Sequence, residues 1–232
     1  MISLKTSSMK FVLAFVATLA VFGSSNAFDI PNVGNGALAK EIQDFLNLIP
    51  QDDILSLTLQ YLAEDYEFQQ AVAYMQSPEF QQLAMEVEAL PELKNLMAYI
   101  YNAGVDIYQM VNAFNQFIGI GPVTPYANVR LAISGGVSGY VNDVKALLPI
   151  DDLNALYQFK LQNSPVFADF IAQIESPEFQ QIVDTVYVNP LFQNLLEKAR
   201  LAGIDLLAIK NLLETIFGYE NINYNEMQSL RK

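Results

Sequence analysis

Cysteine, histidine and tryptophan are all absent from the 232 residues. Without cysteine there are no disulfides, so the fold must be held by packing alone, which suits a chain that is 52% apolar. Without histidine the commonest general base is missing, together with the serine and cysteine triads that depend on it and most transition-metal sites. Basic residues are also scarce. Twelve lysines and arginines face 25 acids, for a formal net charge of −13. This balance argues against nucleic acid and anionic membrane surfaces as partners, and favours a solvated, self-repelling particle that is expected to be a monomer. No Asn-x-Ser/Thr glycosylation site occurs, since Asn163-Ser164 is followed by Pro165.

Long apolar runs are missing as well. The one stretch to consider is Phe11 to Phe22, preceded by Lys5 and Lys10 and followed by Gly23-Ser24-Ser25-Asn26-Ala27. A basic segment, a short apolar segment and small residues at the cleavage spacing describe a secretory signal peptide over residues 1–27. The run is shorter than the ~20 residues that span a bilayer. A secreted chain starting near Phe28 is therefore expected, with no integral membrane span.

What is present in abundance is repetition. Ser77-Pro78-Glu79-Phe80-Gln81-Gln82 returns letter for letter as Ser176-Pro177-Glu178-Phe179-Gln180-Gln181, a displacement of 99 residues. Pro50-Gln51-Asp52-Asp53 and Pro149-Ile150-Asp151-Asp152 share that offset, as do Pro91 with Pro190 and Ala103-Gly104-Val105-Asp106 with Ala202-Gly203-Ile204-Asp205. Over residues 44 to 119 the copies align without a gap, and roughly a third of the positions are identical. The expected organisation is a first repeat over 28–118, a Gly/Pro-rich linker over 119–128, a second repeat over 129–218 and a polar tail over 219–232.

Apolar residues recur at three- and four-residue spacing, and nowhere does strict alternation persist, so the expected class is all-α with about six short helices per repeat. The duplicated letters read as helix punctuation. Ser77 and Ser176 suit the N-cap, Pro78, Pro177 and Pro91 the first helical position, and Gly104 the left-handed position after a helix. Asp106 and Asp205 are expected caps, with Val105 packing toward Met110 and Ile204 toward Ile209 as hydrophobic staples. Asp52 or Asp53, and Asp151 or Asp152, are expected to cap the second helix of each repeat. These paired acids lack an oxygen-rich loop around them, so capping explains them better than acid–base work or a cation site. Ser134-Gly135-Gly136-Val137-Ser138-Gly139 reads as a flexible bend, since no Lys-Ser/Thr follows as a phosphate loop would require. Lys145, Lys160, Lys198 and Arg200 read as solvated charges. No catalytic, metal or cofactor residues emerge, and a non-enzymatic protein is expected.

Fifteen Phe, 12 Tyr and 7 Met remain to be placed. Aromatic and methionine stripes ordinarily mean core. Yet helices of about 12 residues are only ~18 Å long, and twelve amphipathic ones on one shell enclose more volume than their side chains fill. A plug helix would fill the space. Ile54 to Leu62 and Leu153 to Leu161 are the best candidates, although Gln60, Glu64, Gln158 and Lys160 give them polar edges. A shell around an apolar cavity is the alternative.

The duplicated unit, with its Pro–Asp-Asp start, Ser-Pro-Glu-Phe segment and Ala-Gly-Val/Ile-Asp turn, resembles the insect allergen-related repeat family over about Ala37 to Gly218. The resemblance implies two repeats forming a shell of about twelve helices around a lipid-holding cavity. It also implies midgut expression, with secretion into the lumen or association with microvilli, and fatty acids or phospholipids as ligands. No catalytic residues carry over. The expected function is a carrier of apolar ligands. The alternatives are a nitrile-specifier-like detoxification factor and a structural microvillar or peritrophic protein with a filled core. Expected lining residues are Phe80, Leu83, Val87, Leu96, Ile100, Met110, Phe114 and Phe117 in the first repeat. Their counterparts are Phe179, Ile182, Val186, Leu195, Ala199, Ile209, Leu213 and Ile216.

Overall fold

The computed structural model describes residues 29–119, 132–205 and 208–209. The expected signal peptide, the C-terminal tail and nearly all of the expected linker lie outside the described residues. Among the described residues there are eleven helices and no strand; an isolated antiparallel bridge joins Asn32 to Val105. The class is all-α. No helix among the described residues is long and apolar enough to cross a membrane.

In chain order the helices are α1 (Ala37–Leu48), α2 (Gln51–Glu64), α3 (Tyr66–Met75), α4 (Pro78–Glu88), α5 (Pro91–Asn102) and α6 (Ile107–Gly119). They are followed by α7 (Gly136–Leu147), α8 (Ile150–Asn163), α9 (Pro165–Ile174), α10 (Pro177–Tyr187) and α11 (Pro190–Leu201). Each of α1 to α5 reappears 99 residues later with the same length, from Ala37 and Gly136 at one end to Asn102 and Leu201 at the other.

Local chemistry sets these boundaries. The Ser77 hydroxyl accepts from the Phe80 amide at 3.2 Å, and the Ser176 hydroxyl accepts from Phe179 at the same distance. Pro78, Pro91, Pro165, Pro177 and Pro190 open their helices, where a missing N–H costs nothing. Asp106 accepts from the Gln109 amide at 3.1 Å and Asp205 from Ala208 at 2.9 Å. Gly104 takes φ +107 just past α5, a conformation that other residues adopt only with strain.

The paired acids do not cap. Pro50 and Pro149 occupy the N-cap positions of α2 and α8, with no side-chain cap bond. Their carbonyls already receive the amides of Ile54 and Leu153 at 3.0 Å. The helices therefore begin at Gln51 and Ile150, three residues before the expected Ile54 and Leu153. Asp52-Asp53 and Asp151-Asp152 fall inside the first turn, where the positive end of the dipole favours them.

The repeats interlock. α1 packs on α8 and α9, and its counterpart α7 packs on α2 and α3. Likewise α4 packs on α11, and α5 on α10. The first helix of each repeat thus sits on the second and third helices of the other, and the fourth helix of each on the other's fifth. The core is built across the halves. Tyr61, Met110, Leu153, Ile174 and Phe179 have no solvent exposure, and large apolar side chains of this kind each contribute about 1.5–3 kcal/mol on burial.

The two candidate plug helices differ. From Ile54 to Leu62, every residue of α2 is buried or half-buried. α8 instead lies against solvent on one side, with Ala155, Gln158 and Phe159 exposed and Leu153, Tyr157 and Lys160 buried. Of these two helices α2 is the interior one over this stretch, and the solvent side of α8 carries apolar Ala155 and Phe159 beside Gln158.

Candidate apolar ligand site

Apart from Ile209, the expected lining residues whose side chains are described lie on five helices: α4, α5, α6, α10 and α11. Phe80, Leu83 and Val87 lie buried along α4, and Leu96 and Ile100 along α5. On α6, Met110 is wholly buried and Phe114 half-buried. α10 supplies buried Phe179 and Val186 with half-buried Ile182, and α11 supplies buried Ala199 with half-buried Leu195. Ile209 is half-buried. Leu213, Ile216 and the side chain of Phe117 lie outside the described residues.

These residues are not all in one another's company. Leu96, Ile100, Met110 and Phe179 belong to the large apolar cluster that fills the α1–α3 and α7–α9 region. Phe80 forms a small cluster with Ala84. Val87, Val186 and Phe192 form another, and Ala199 joins Ala71 and Ile204 in a third. At the seams sit partly buried apolar side chains: Phe114 touches the large cluster and that of Phe80, and Leu195 touches those of Phe80 and Val87. Tyr74 and Met75 lie between the clusters of Phe80 and Ala199. Among the described residues the apolar interior is continuous from α1–α3 and α7–α9 into α5, α6 and the start of α10, and it divides into small clusters along α4, α11 and the end of α10.

Polar groups border this subdivided region. Tyr74 sits edge-on to Phe80 with ring centroids 5.5 Å apart. Its hydroxyl oxygen is buried and has no hydrogen-bond partner. Burial, reinforced by Glu79, holds the phenol above its ordinary pKa, with Lys198 opposing. Lys198 Nζ lies 2.7 Å from Glu79 Oε1, and that hydrogen bond raises the lysine pKa. At the far end of α4, burial raises the Glu88 carboxyl, partly offset by a 3.2 Å hydrogen bond from Asn115 Nδ2.

A groove lies at the place related to Tyr74 and Lys198 by the 99-residue offset. This surface groove of about 550 Å³ is lined by Tyr99, Asp169, Ala172, Gln173, Ser176 and Glu178. Subtracting 99 from Gln173 and Glu178 gives Tyr74 and Glu79, and adding 99 to Tyr99 gives Lys198. Here the Tyr99 hydroxyl donates to the Gln173 carbonyl at 3.1 Å. The two elbows are equivalent in position and different in chemistry.

Two polar clusters between the repeats were missed by sequence reasoning. Lys160, expected to be solvated, is only 5% exposed. Its ammonium lies 2.6 Å from Asp44 Oδ2 and also bonds Glu41. Burial pulls its pKa down, but the two carboxylates outweigh that and hold it above the ordinary value. The signal was its position: Leu153, Tyr157 and Lys160 share one face of α8, so the lysine stands on the apolar stripe.

The 99-residue counterparts of Lys160, Asp44 and Glu41 are Tyr61, Asp143 and Tyr140. Tyr61 donates its hydroxyl hydrogen to Asp143 Oδ2 and packs edge-on to Tyr140, with ring centroids 5.3 Å apart. Thr58 Oγ1 and Tyr140 Oη are 2.7 Å apart. Burial and the Asp143 contact push Tyr61 up to about 12. Burial works against the Asp143 carboxylate, yet hydrogen bonds from Ser134 and Tyr61 hold it below its ordinary pKa.

The glycine segment is tied into this cluster and is no flexible bend. Ser134 donates its amide to Asp143 Oδ2 at 2.8 Å and its hydroxyl hydrogen to Oδ1 at 2.6 Å. The Gly135 amide donates to Tyr61 Oη at 3.2 Å, and the Gly136 amide to Asp65 Oδ2 at 2.9 Å. These polar groups satisfy one another, and their chemistry is that of a seam between repeats. No group of three or more acids that could hold a metal ion occurs among the described residues.

The chain has relatives among known proteins. A family model described as "Insect allergen related repeat, nitrile-specifier detoxification" matches residues 37–210. The chain is also 28% identical over 186 residues to Protein G12 of Anopheles gambiae, covering 79% of this chain and 88% of that protein.

Proposed function

Because the chain belongs to the insect allergen related repeat family, we propose that it is a non-enzymatic carrier whose α4–α6, α10 and α11 region receives an apolar ligand such as a fatty acid or phospholipid. The observation that carries this reading is the subdivision of the apolar interior. Among the described residues one large cluster reaches into α5, α6 and α10, while the buried residues of α4, α11 and the end of α10 form small clusters joined through partly buried Phe114, Leu195, Tyr74 and Met75. Partly buried apolar side chains at such junctions keep surface that an apolar guest can cover. Burial at ~25 cal/mol per Å² would drive binding, so affinity should rise with chain length. Export is part of the proposal, on the basic, apolar and small-residue segments of residues 1–27. The insect midgut as the place of action rests on the family resemblance.

The test is lipid content. Purified protein extracted with organic solvent should release fatty acid or phospholipid, and the stripped protein should take up a fluorescent fatty acid. Release of nothing and uptake of nothing would end the carrier reading.

A second reading draws on the family description, which includes nitrile-specifier detoxification. In that case the protein would divert glucosinolate breakdown toward nitriles. Incubation with a plant glucosinolase and its substrate tests it, since an unchanged isothiocyanate yield removes the option.

A further inference from the structure

We propose that Tyr74 and Lys198 form a head-group subsite that receives the carboxylate of a fatty acid whose tail lies against Phe80, Ala84, Phe114 and Leu195. The inference rests on the carrier reading and adds an orientation and a selectivity to it.

The first observation is the Tyr74 hydroxyl. It is buried without a partner at the junction of two apolar clusters. A buried hydroxyl left unpaired is costly, so a group that brings an acceptor to it removes that cost on binding. Its ring is fixed edge-on against Phe80, so the oxygen is presented from a rigid base.

The second observation is the cation. Lys198 and Glu79 are the charged groups that act on Tyr74. Lys198 is held by one carboxylate oxygen, Glu79 Oε1, and its side chain is 42% exposed. An ammonium has three donors, so it can take a further acceptor without leaving Glu79. One hydroxyl donor and one ammonium donor at the edge of the apolar clusters match the two oxygens of a carboxylate. Glu79 makes the place less suited to a doubly charged phosphate.

The third observation is the contrast with the equivalent elbow. There Lys198 is replaced by Tyr99 and Tyr74 by Gln173, and the Tyr99 hydroxyl is already used by the Gln173 carbonyl. Asp169 and Glu178 line that groove, so its field repels an anion. Duplication supplies two similar elbows, and divergence has given one of them an unused donor and a cation. The ligand is thereby given one direction of entry.

The experiment uses the full chain, stripped of lipid, with oleate and oleyl alcohol as probes that share a tail and differ in head group. Titrations with each yield a selectivity ratio. Wild type should prefer oleate. Tyr74→Phe and Lys198→Met should each lower that preference about tenfold, the size of one charge-assisted hydrogen bond. Glu79→Gln releases Lys198 and should raise oleate affinity several-fold. Tyr74→Phe removes only an unpartnered hydroxyl, so its melting temperature should equal or exceed that of wild type, which confirms that it folds.

An unchanged ratio in both Tyr74→Phe and Lys198→Met overturns the subsite and leaves the carrier reading standing. Equal affinity of wild type for the two probes does the same. Uptake of neither probe overturns both readings. Tighter binding of oleoyl lysophosphatidate than of oleate, lost in Tyr74→Phe, overturns the carboxylate assignment.

Discussion

Lys160→Met is the sharpest test of how the two repeats are joined. The substitution keeps the length of the stem and removes the charge. In the native protein that charge stands between Glu41 and Asp44, which belong to the other repeat. Removing one member of a buried ion pair costs about 3–5 kcal/mol when the partner is left dry. Here the partners are wetter, with side chains 25% and 57% exposed for Glu41 and Asp44, so the residual charges are partly solvated. We therefore expect a loss of about 1–2 kcal/mol, which includes the repulsion between two carboxylates that no longer share a cation. For a chain of this size that is a fall in melting temperature of roughly 2–8 °C. Thermal and urea denaturation measure it, and adding Glu41→Gln should recover part of the loss. The pH dependence has a definite sign. Because the folded pKa of Lys160 is raised, its stabilisation is fully present below about pH 10, the unfolded value, and is lost as pH rises through the higher folded value. A Lys160→Met protein within about 0.5 kcal/mol of wild type would refute this reasoning and return Lys160 to an ordinary surface lysine.

Other consequences can be checked alongside. Ser77→Ala and Ser176→Ala should each destabilise by about 1 kcal/mol by removing an N-cap acceptor, and the two effects should add. Gly139→Ala should cost about 1–3 kcal/mol, because a Cβ there would stand 2.7 Å from the Ser134 carbonyl carbon and 3.1 Å from Tyr61 Oη; its counterpart, Lys40, already carries a side chain. Asp143→Asn should flatten the acid limb of the stability curve. The Asp143 pKa is lowered in the fold, so its contribution is present above about pH 4 and lost as pH falls through the folded value. Phe114→Ala should weaken fatty-acid uptake more than it lowers stability, since its side chain is only partly buried at a seam between clusters.

What was legible in the sequence was whatever is decided locally. Ser77, Pro78, Pro91, Gly104 and Asp106 each act within one helical turn, so their letters suffice to mark an end. The offset of 99 carried these assignments to the second repeat. Asp52 and Asp53 show where local reading misleads. An acid near a helix start is equally good as a cap or in the first turn, and the choice fell to Pro50, whose carbonyl begins the helix early. The long-range pairs could not be read in this way. Lys160 meets Glu41 and Asp44 across 119 and 116 residues, and Tyr61 meets Asp143 across 82. Only the interlocking of α1 with α8 and of α7 with α2 brings them together. Among the expected lining residues, periodicity chose the inward faces. It carried no information on how those faces divide into separate clusters, because that depends on which helix of the other repeat each one meets.

The central claim is that the subdivided apolar region holds a lipid. Native mass spectrometry of the protein as isolated from its own source tests it most directly. The account predicts a mass above that of the processed chain by one or more fatty acids or phospholipids, lost on solvent extraction and regained with oleate. A mass equal to that of the bare chain, before and after exposure to oleate, would contradict it.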